Sequence, residues 1–391
     1  MGMLQTQTLP YITGDLPGIG GEIKVEPAHF VVEEIPLYKP AGEGEHIYVC
    51  LTREGWTTRA LEQRLASLFG LRDIDVGSAG QKDKHARVTQ VFSLRLPGVE
   101  EAMVARRIQE ALPVEVIWVR RHRNKLKVGH LLGNRFQIVV LHPGPGAFER
   151  AREIAQTLQA RGLPNYYGVQ RFGIHGDNAQ RGRAALLGGG PRERWLRRFL
   201  LSAYQAALFN TWLAERIRRG WFDRLLTGDI AKKMDTGGLF TVQDPAAEWP
   251  RWERREITYT GPIYGHRMRW ASGEPGKLER EVLESAGVTS EMLHKARLDG
   301  SRRPALLWVN ELEIEPYPDG LRFVFILPKG AYATTLLREF MKTETALWPE
   351  TEDELTAGER DGSHAENTVV PTEYSVVPRD DAAAAHLRGT I

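Results

Sequence analysis

The chain predicts an α+β fold carrying an inserted segment, on three observations. Short strand-like runs dominate its first third, a more helical and more basic stretch fills the middle, and strand–turn–helix character returns near residue 341. At 391 residues it also exceeds one ordinary core, so two domains and a tail are expected.

The elements follow in order. IKVEPAHFVVEEI and HIYVCLTREG place apolar residues at near-alternate positions, as half-buried strands require. TTRALEQRLASLFG then reads as a helix, with Leu61, Leu65 and Leu68 on one face and Gly70 as its stop. VTQVFSLRL and VEVIWVRRHRNKLKVG are further strands separated by the helical EEAMVARRIQEAL, and NRFQIVVL is another before the break at HPGPG. The helix AFERAREIAQTLQARG closes this region, and the loop LPNYYGVQRFG follows. From about 163 to 310 the pattern is helical and basic, notably in GPRERWLRRFLLSAYQAALFNTWLAERIRR. LRFVFILPKGAYATTLLREFMK reads as strand, turn, helix. Because this resembles the start, the two ends are expected to form one domain around an insertion. Beyond Lys342 periodicity is lost and acidic residues collect, so residues 346–391 are expected to be a disordered acidic tail.

Net charge is only +2, but its distribution is uneven. Lys342 to Ile391 hold 11 acidic and 4 basic residues, a net of −7, which leaves 48 basic and 39 acidic residues, a net of +9, in residues 1–341. A basic body points to a polyanionic partner. The single cysteine, Cys50, permits neither an internal disulfide nor a multi-cysteine zinc site and fits a reducing compartment, so a cytoplasmic location is expected. No run approaches the roughly 18 apolar residues of a membrane span. HExxH, CxxC, GxSxG, GxxxxGK[ST] and a GxGxxG between strand and helix are all missing, so neither metal, nucleotide nor dinucleotide cofactor is expected.

Four segments remain as chemistry. In SAGQKDKHARVTQ, Asp83 stands between Lys82 and Lys84, with His85 and Arg87 close by. Nearby cations would hold it ionised as a nucleophile or base, while an exposed charged turn explains the same residues. From Arg120 to Arg135 six basic residues and no acidic one form a ribbon suited to phosphates, or to guarding a sheet edge. LPNYYGVQRFG supplies Tyr166, Tyr167, Gln170, Arg171 and Phe172, which serve either base stacking or core packing. LPKGAYATTLLREF sets Tyr332 on a glycine-bearing turn before a helix.

Taken in order, KVEPAHFVVEEIP, GEGEH, SAGQKDKHARVTQ, KLKVGHLLGNRFQIVV, LPNYYGVQRFG and LPKGAYATTLLREF resemble the tRNA pseudouridine synthase D family over about residues 18–341. The resemblance implies isomerisation of uridine to pseudouridine at position 13 of tRNA, with Asp83 as the catalytic aspartate and neither cofactor, metal nor obligatory protein partner. It implies that Phe30, Asn134, Phe136 and Tyr332 bind the substrate base, Tyr332 standing where the family more usually has Phe. Lys82 would raise the positive potential at the carboxylate and a nearby phosphate, with Lys24 a secondary candidate. It further implies a pseudouridine synthase domain of 1–162 and 311–345 on a mixed or antiparallel sheet, and an inserted α/β TRUD domain of 163–310. The two would form an RNA-binding cleft lined by the 120–135 ribbon.

Overall fold

The computed structural model describes residues 9–23, 26–173 and 175–343. The expected tail, 346–391, and Lys24 lie outside these residues. The first part of the chain forms β1 (Phe30–Pro36), β2 (His46–Arg53), α1 (Thr58–Phe69), β3 (Val76–Ser78), β4 (Arg87–Arg95), α2 (Glu101–Ala111), β5 (Glu115–His122), β6 (Leu131–Leu141) and α3 (Ala147–Arg161). Gly70 caps α1 in the left-handed conformation, φ +64°, where a side chain would strain. The middle contributes β7 (Leu163–Pro164), α4 (Asn178–Leu186), α5 (Arg194–Arg218), β8 (Ile230–Lys233), β9 (Leu239–Thr241), α6 (Pro245–Glu253), β10 (Ile257–Ile263), α7 (Gly273–Ser285), α8 (Ser290–Lys295), β11 (Ser301–Pro304) and β12 (Leu306–Leu307). The chain then returns through β13 (Leu312–Tyr317), β14 (Gly320–Pro328) and α9 (Ala333–Met341).

An eight-stranded mixed sheet draws on both chain ends. Its order is β13-β14-β6-β1-β4-β2-β5, with β3 added on β4. The β1–β4 pair is parallel and the others are antiparallel. The middle segment makes its own four-stranded sheet, β11-β10-β8-β9. Its entry and exit strands pair with each other, Leu163 opposite Leu307 and Pro164 opposite Leu306. The chain therefore leaves the large sheet and returns to it at adjacent points.

One face of the large sheet carries two separate apolar cores. Because side chains alternate along a strand, Phe30, Val32 and Glu34 of β1 share that face with Asn134, Phe136 and Ile138 of β6. Phe30, Val32, Phe136 and Ile138 join Phe323, Phe325 and the middle segment's Trp212 and Tyr259 in one continuous core. Further along the same face, Ile47, Val49, Leu51, Phe92 and Leu94 pack under α1 and α2 as a second core. Between the two lies a strip of polar side chains, and the functional residues collect there.

Candidate active site

The strip begins with groups that apolar neighbours leave nowhere else to bond. Arg53, at the end of β2, is 1% exposed, and Thr58 and Gln90 are fully buried. The Thr58 hydroxyl accepts from Lys82 N at 2.9 Å and from Arg53 Nη2 at 3.2 Å, and donates to Gln90 Oε1 at 3.1 Å. That uses the whole capacity of one hydroxyl. Gln90 Nε2 in turn donates to Gly80 O at 2.6 Å. Arg53 also donates to Trp56 O and, at 3.4 Å each, to the carbonyls of Lys82 and Asp83. The loop from Gly80 to Asp83 is thus held from below by side chains of β2, α1 and β4.

Asp83 is half-buried on this loop. Its Oδ1 accepts from His85 N at 2.9 Å, an Asx-type turn that fixes the carboxylate against its own backbone. Beneath it, burial presses the Arg53 guanidinium down to about 10, and the negative charge of Asp83 opposes that shift. The attraction is mutual, so the guanidinium favours the ionised carboxylate.

Beside Asp83, Lys82 turns inward. Its side chain is 7% exposed, its Nζ donates to Asn134 Oδ1, and it pairs with Glu34 Oε2 at 3.5 Å. Burial pushes Glu34 up and Lys82 down, each opposed chiefly by the partner's charge. Glu34 and Asn134 are cross-strand neighbours in the β1–β6 register. The Lys82 charge is therefore balanced inside the protein.

Two residues beyond Asn134, the Phe136 ring stacks on Phe325 at 5.3 Å and meets the edge of Phe30 at 6.5 Å. Both candidate phenylalanines are buried, Phe30 at 5% and Phe136 at 7% exposed, and form an aromatic wall along the strip. Tyr332 stands on the turn that leaves β14 near Asn134, which pairs with Leu327. This turn is fastened to the middle segment. Arg303 of β11 donates to Gly330 O at 2.7 Å and to Asn165 Oδ1 at 2.8 Å, and lies over the Tyr167 ring at 4.0 Å. A side chain at Gly168 would meet Gln170, Thr334 and Tyr332 within 3.0 Å, so the loop approaches Tyr332 only as glycine.

The structure therefore brings Asp83, Lys82 and Asn134 together, with Phe136 and Phe30 along the same face and Tyr332 at the strip's end. Arg53, Thr58, Gln90, Glu34 and Arg303 were not singled out from sequence. Their partners lie far along the chain, and no local pattern marks them.

The other segments resolve differently. Tyr166 and Tyr167 are core residues, 2% and 5% exposed, and Asn210 brackets the Tyr167 backbone with hydrogen bonds of 2.8 and 2.9 Å. Cys50 is buried and its thiol is pushed up to about 12. Only the end of the basic run enters the strip, through Asn134, although Gly129 N also donates to Ala79 O at 2.8 Å beside the Asp83 loop. The run's Leu126 and Leu131 pack with Tyr48, Cys50 and Val91 on the opposite face of the sheet. Acids from elsewhere meet two of its six charges, Glu43 pairing with Arg123 and Glu101 lying 3.6 Å from Arg120. β5 is a sheet edge, where such charges block pairing with another chain. Among the described residues, no group of three or more His, Cys, Asp or Glu is placed to hold a metal ion, and no helix is long and apolar enough to cross a membrane.

The family model of tRNA pseudouridine synthase D (TruD) matches residues 6–189 and 191–340. The chain belongs to that family. A tRNA pseudouridine synthase D from Anaeromyxobacter dehalogenans is 45% identical over 355 residues, covering 88% of this chain and 99% of the relative. One from Thermus thermophilus is 44% identical over 343 residues, covering 88% and 94%. A Methanosarcina mazei crystal structure, solved as a candidate tRNA pseudouridine synthase D, has a TM-score of 0.70 at 25% identity, covering 87% of this chain and 97% of that one.

Proposed function

We propose that this chain isomerises uridine to pseudouridine in tRNA, at position 13 as its family implies, with Asp83 as nucleophile. The observation that carries the assignment is the seating of Asp83. It is a half-buried carboxylate on a loop held by a buried guanidinium, at a seam between two apolar cores. Isomerisation breaks the N1–C1′ bond, turns the uracil and forms a C5–C1′ bond. C5 gives up a proton and N1 takes one, so nothing is oxidised or reduced. Asp83 either attacks C1′ or promotes a glycal route, and both need the carboxylate ionised, the state that Arg53 favours. The uridine must first leave its stack, at a cost of a few kcal/mol. Phe30, Phe136 and Tyr332 would face its ring, and Asn134 its polar edge. Lys24 remains a candidate for a phosphate contact.

The pairing of β7 with β12 supports reading 163–310 as an inserted domain, with 1–162 and 311–345 as the synthase domain. Arg303 would couple the two across the substrate cleft. The protein is proposed to work in the cytoplasm on tRNA, without a metal. Purified protein incubated with unmodified tRNA and EDTA should yield pseudouridine. Failure to form it, or abolition of product by the chelator, would overturn this reading.

A further inference from the structure

The side-chain amide of Asn134 can be oriented from chemistry alone. An ammonium group offers three donors and no acceptor, so the amide atom facing Lys82 Nζ must be the oxygen. The amide nitrogen then faces away from the ammonium. Asn134 is half-buried, and its Nδ2 has no hydrogen-bond partner among the described residues. A donor is thus presented beside the Asp83 loop, two residues from the Phe136 ring and on the same face of the sheet. Reversing the amide would set its NH2 against the ammonium. Glu34, its side chain 1% exposed, keeps that ammonium in place from the opposite strand.

We infer that Asn134 is a specificity-determining residue whose Nδ2 donates to the C4 carbonyl of uracil, and that Glu34 and Lys82 are positioning residues that deny it the reverse orientation. Cytosine carries an amino group at C4, so the same geometry sets donor against donor and leaves both unpaired in a partly dry site. Such a mismatch is rejected far more strongly than a change in apolar contact. Burial presses Lys82 toward losing its proton and Glu34 opposes this, which explains why a carboxylate accompanies the lysine. The inference rests on the proposed entry of a flipped uridine into this site.

The test is the ratio of affinities for two unmodified tRNAs that carry U or C at the modified position. Full-length protein bearing Asp83→Asn is used throughout, to suppress turnover. The control should favour U by on the order of tenfold or more. Adding Lys82→Met should reduce the ratio to below about threefold without weakening binding of the C-bearing tRNA, because the amide is then able to flip. Glu34→Gln should lower the ratio part-way, and Lys82→Arg should restore it. A control without preference, or a Lys82→Met protein with the control's ratio, would overturn the inference. Should Lys82→Met not fold, an unchanged ratio in Glu34→Gln does so instead. The two readings fail separately. If native protein forms no pseudouridine the functional proposal falls, whereas product formation with an unmoved ratio removes only this one.

Discussion

The buried pair of the middle segment, Arg216 with Asp229, and the buried pair beneath the site, Lys82 with Glu34, are held in different ways. Arg216 and Asp229 are 0% and 2% exposed and meet through two parallel contacts of 2.7 and 2.8 Å. The remaining guanidinium donors go to Trp221 O and Arg224 O at 3.1 Å, and its plane lies 3.8 Å from the Tyr259 ring centroid. The fork geometry of arginine satisfies both carboxylate oxygens and uses four of its own five N–H donors, which suits a pair that only holds a core together. Lys82 and Glu34 are nearly as buried but stand 3.5 Å apart, and the lysine's close contact is a neutral amide at the edge of the strip. A fold seeking stability alone would do as well with apolar residues there. The comparison separates a pair kept for packing from one that positions a neighbour.

The largest effect should come from breaking the packing pair. Arg216→Met leaves Asp229 buried without its partner and is expected to cost about 3–5 kcal/mol in urea unfolding. A loss below about 1 kcal/mol would remove the distinction. Next, Lys82→Met should cost less stability, about 1–3 kcal/mol, because Asn134 stays solvated and the Glu34 carboxyl, already pushed up by burial, can take a proton when its partner is lost. It should nevertheless slow pseudouridine formation by more than about tenfold, at least 1.4 kcal/mol in the barrier. Normal turnover in a destabilised Lys82→Met protein would make the pair structural. Arg303→Met should act more mildly, raising KM for tRNA severalfold as the Tyr332 turn loses its tether, with kcat little changed. Smallest of all, Lys125→Glu with Lys127→Glu should reduce the log–log salt slope of tRNA binding by no more than about two and spare kcat. Lys125 Nζ is already held by Ile74 O at 2.7 Å, and the loop packs on the sheet face opposite the strip. A collapse of turnover would instead place that run in the cleft.

What could be read from sequence follows the range of the interactions involved. Helix α1 and its stop at Gly70 are local matters. The strand His46–Arg53 was legible too, but its alternation suggested one buried face, whereas Ile47 to Arg53 are all buried because the sheet is covered on both sides there. The Asp83 loop was visible as a motif, and Asn134 and Phe136 as neighbours on one strand face. That Glu34 lies opposite Asn134 is a fact of register, which no local pattern encodes. Arg53 reads as the last residue of a strand until α1 and the loop close over it. The run from Arg120 to Arg135 misled for a related reason. Charge density is legible in one dimension, whereas the face each residue occupies, and the acids Glu43 and Glu101 that meet Arg123 and Arg120, are set by other parts of the chain. Tyr166 and Tyr167 likewise resembled a base-reading loop until the middle segment covered them.

The central claim is that Asp83 performs the reaction while the residues around it hold the carboxylate and the base. Asp83→Asn keeps an oxygen able to accept from His85 N, so its unfolding midpoint should stay close to that of the native protein. Measured on unmodified tRNA with protein in excess, this variant should form no pseudouridine while still binding the RNA. Product formation at a rate near the native one would contradict the account.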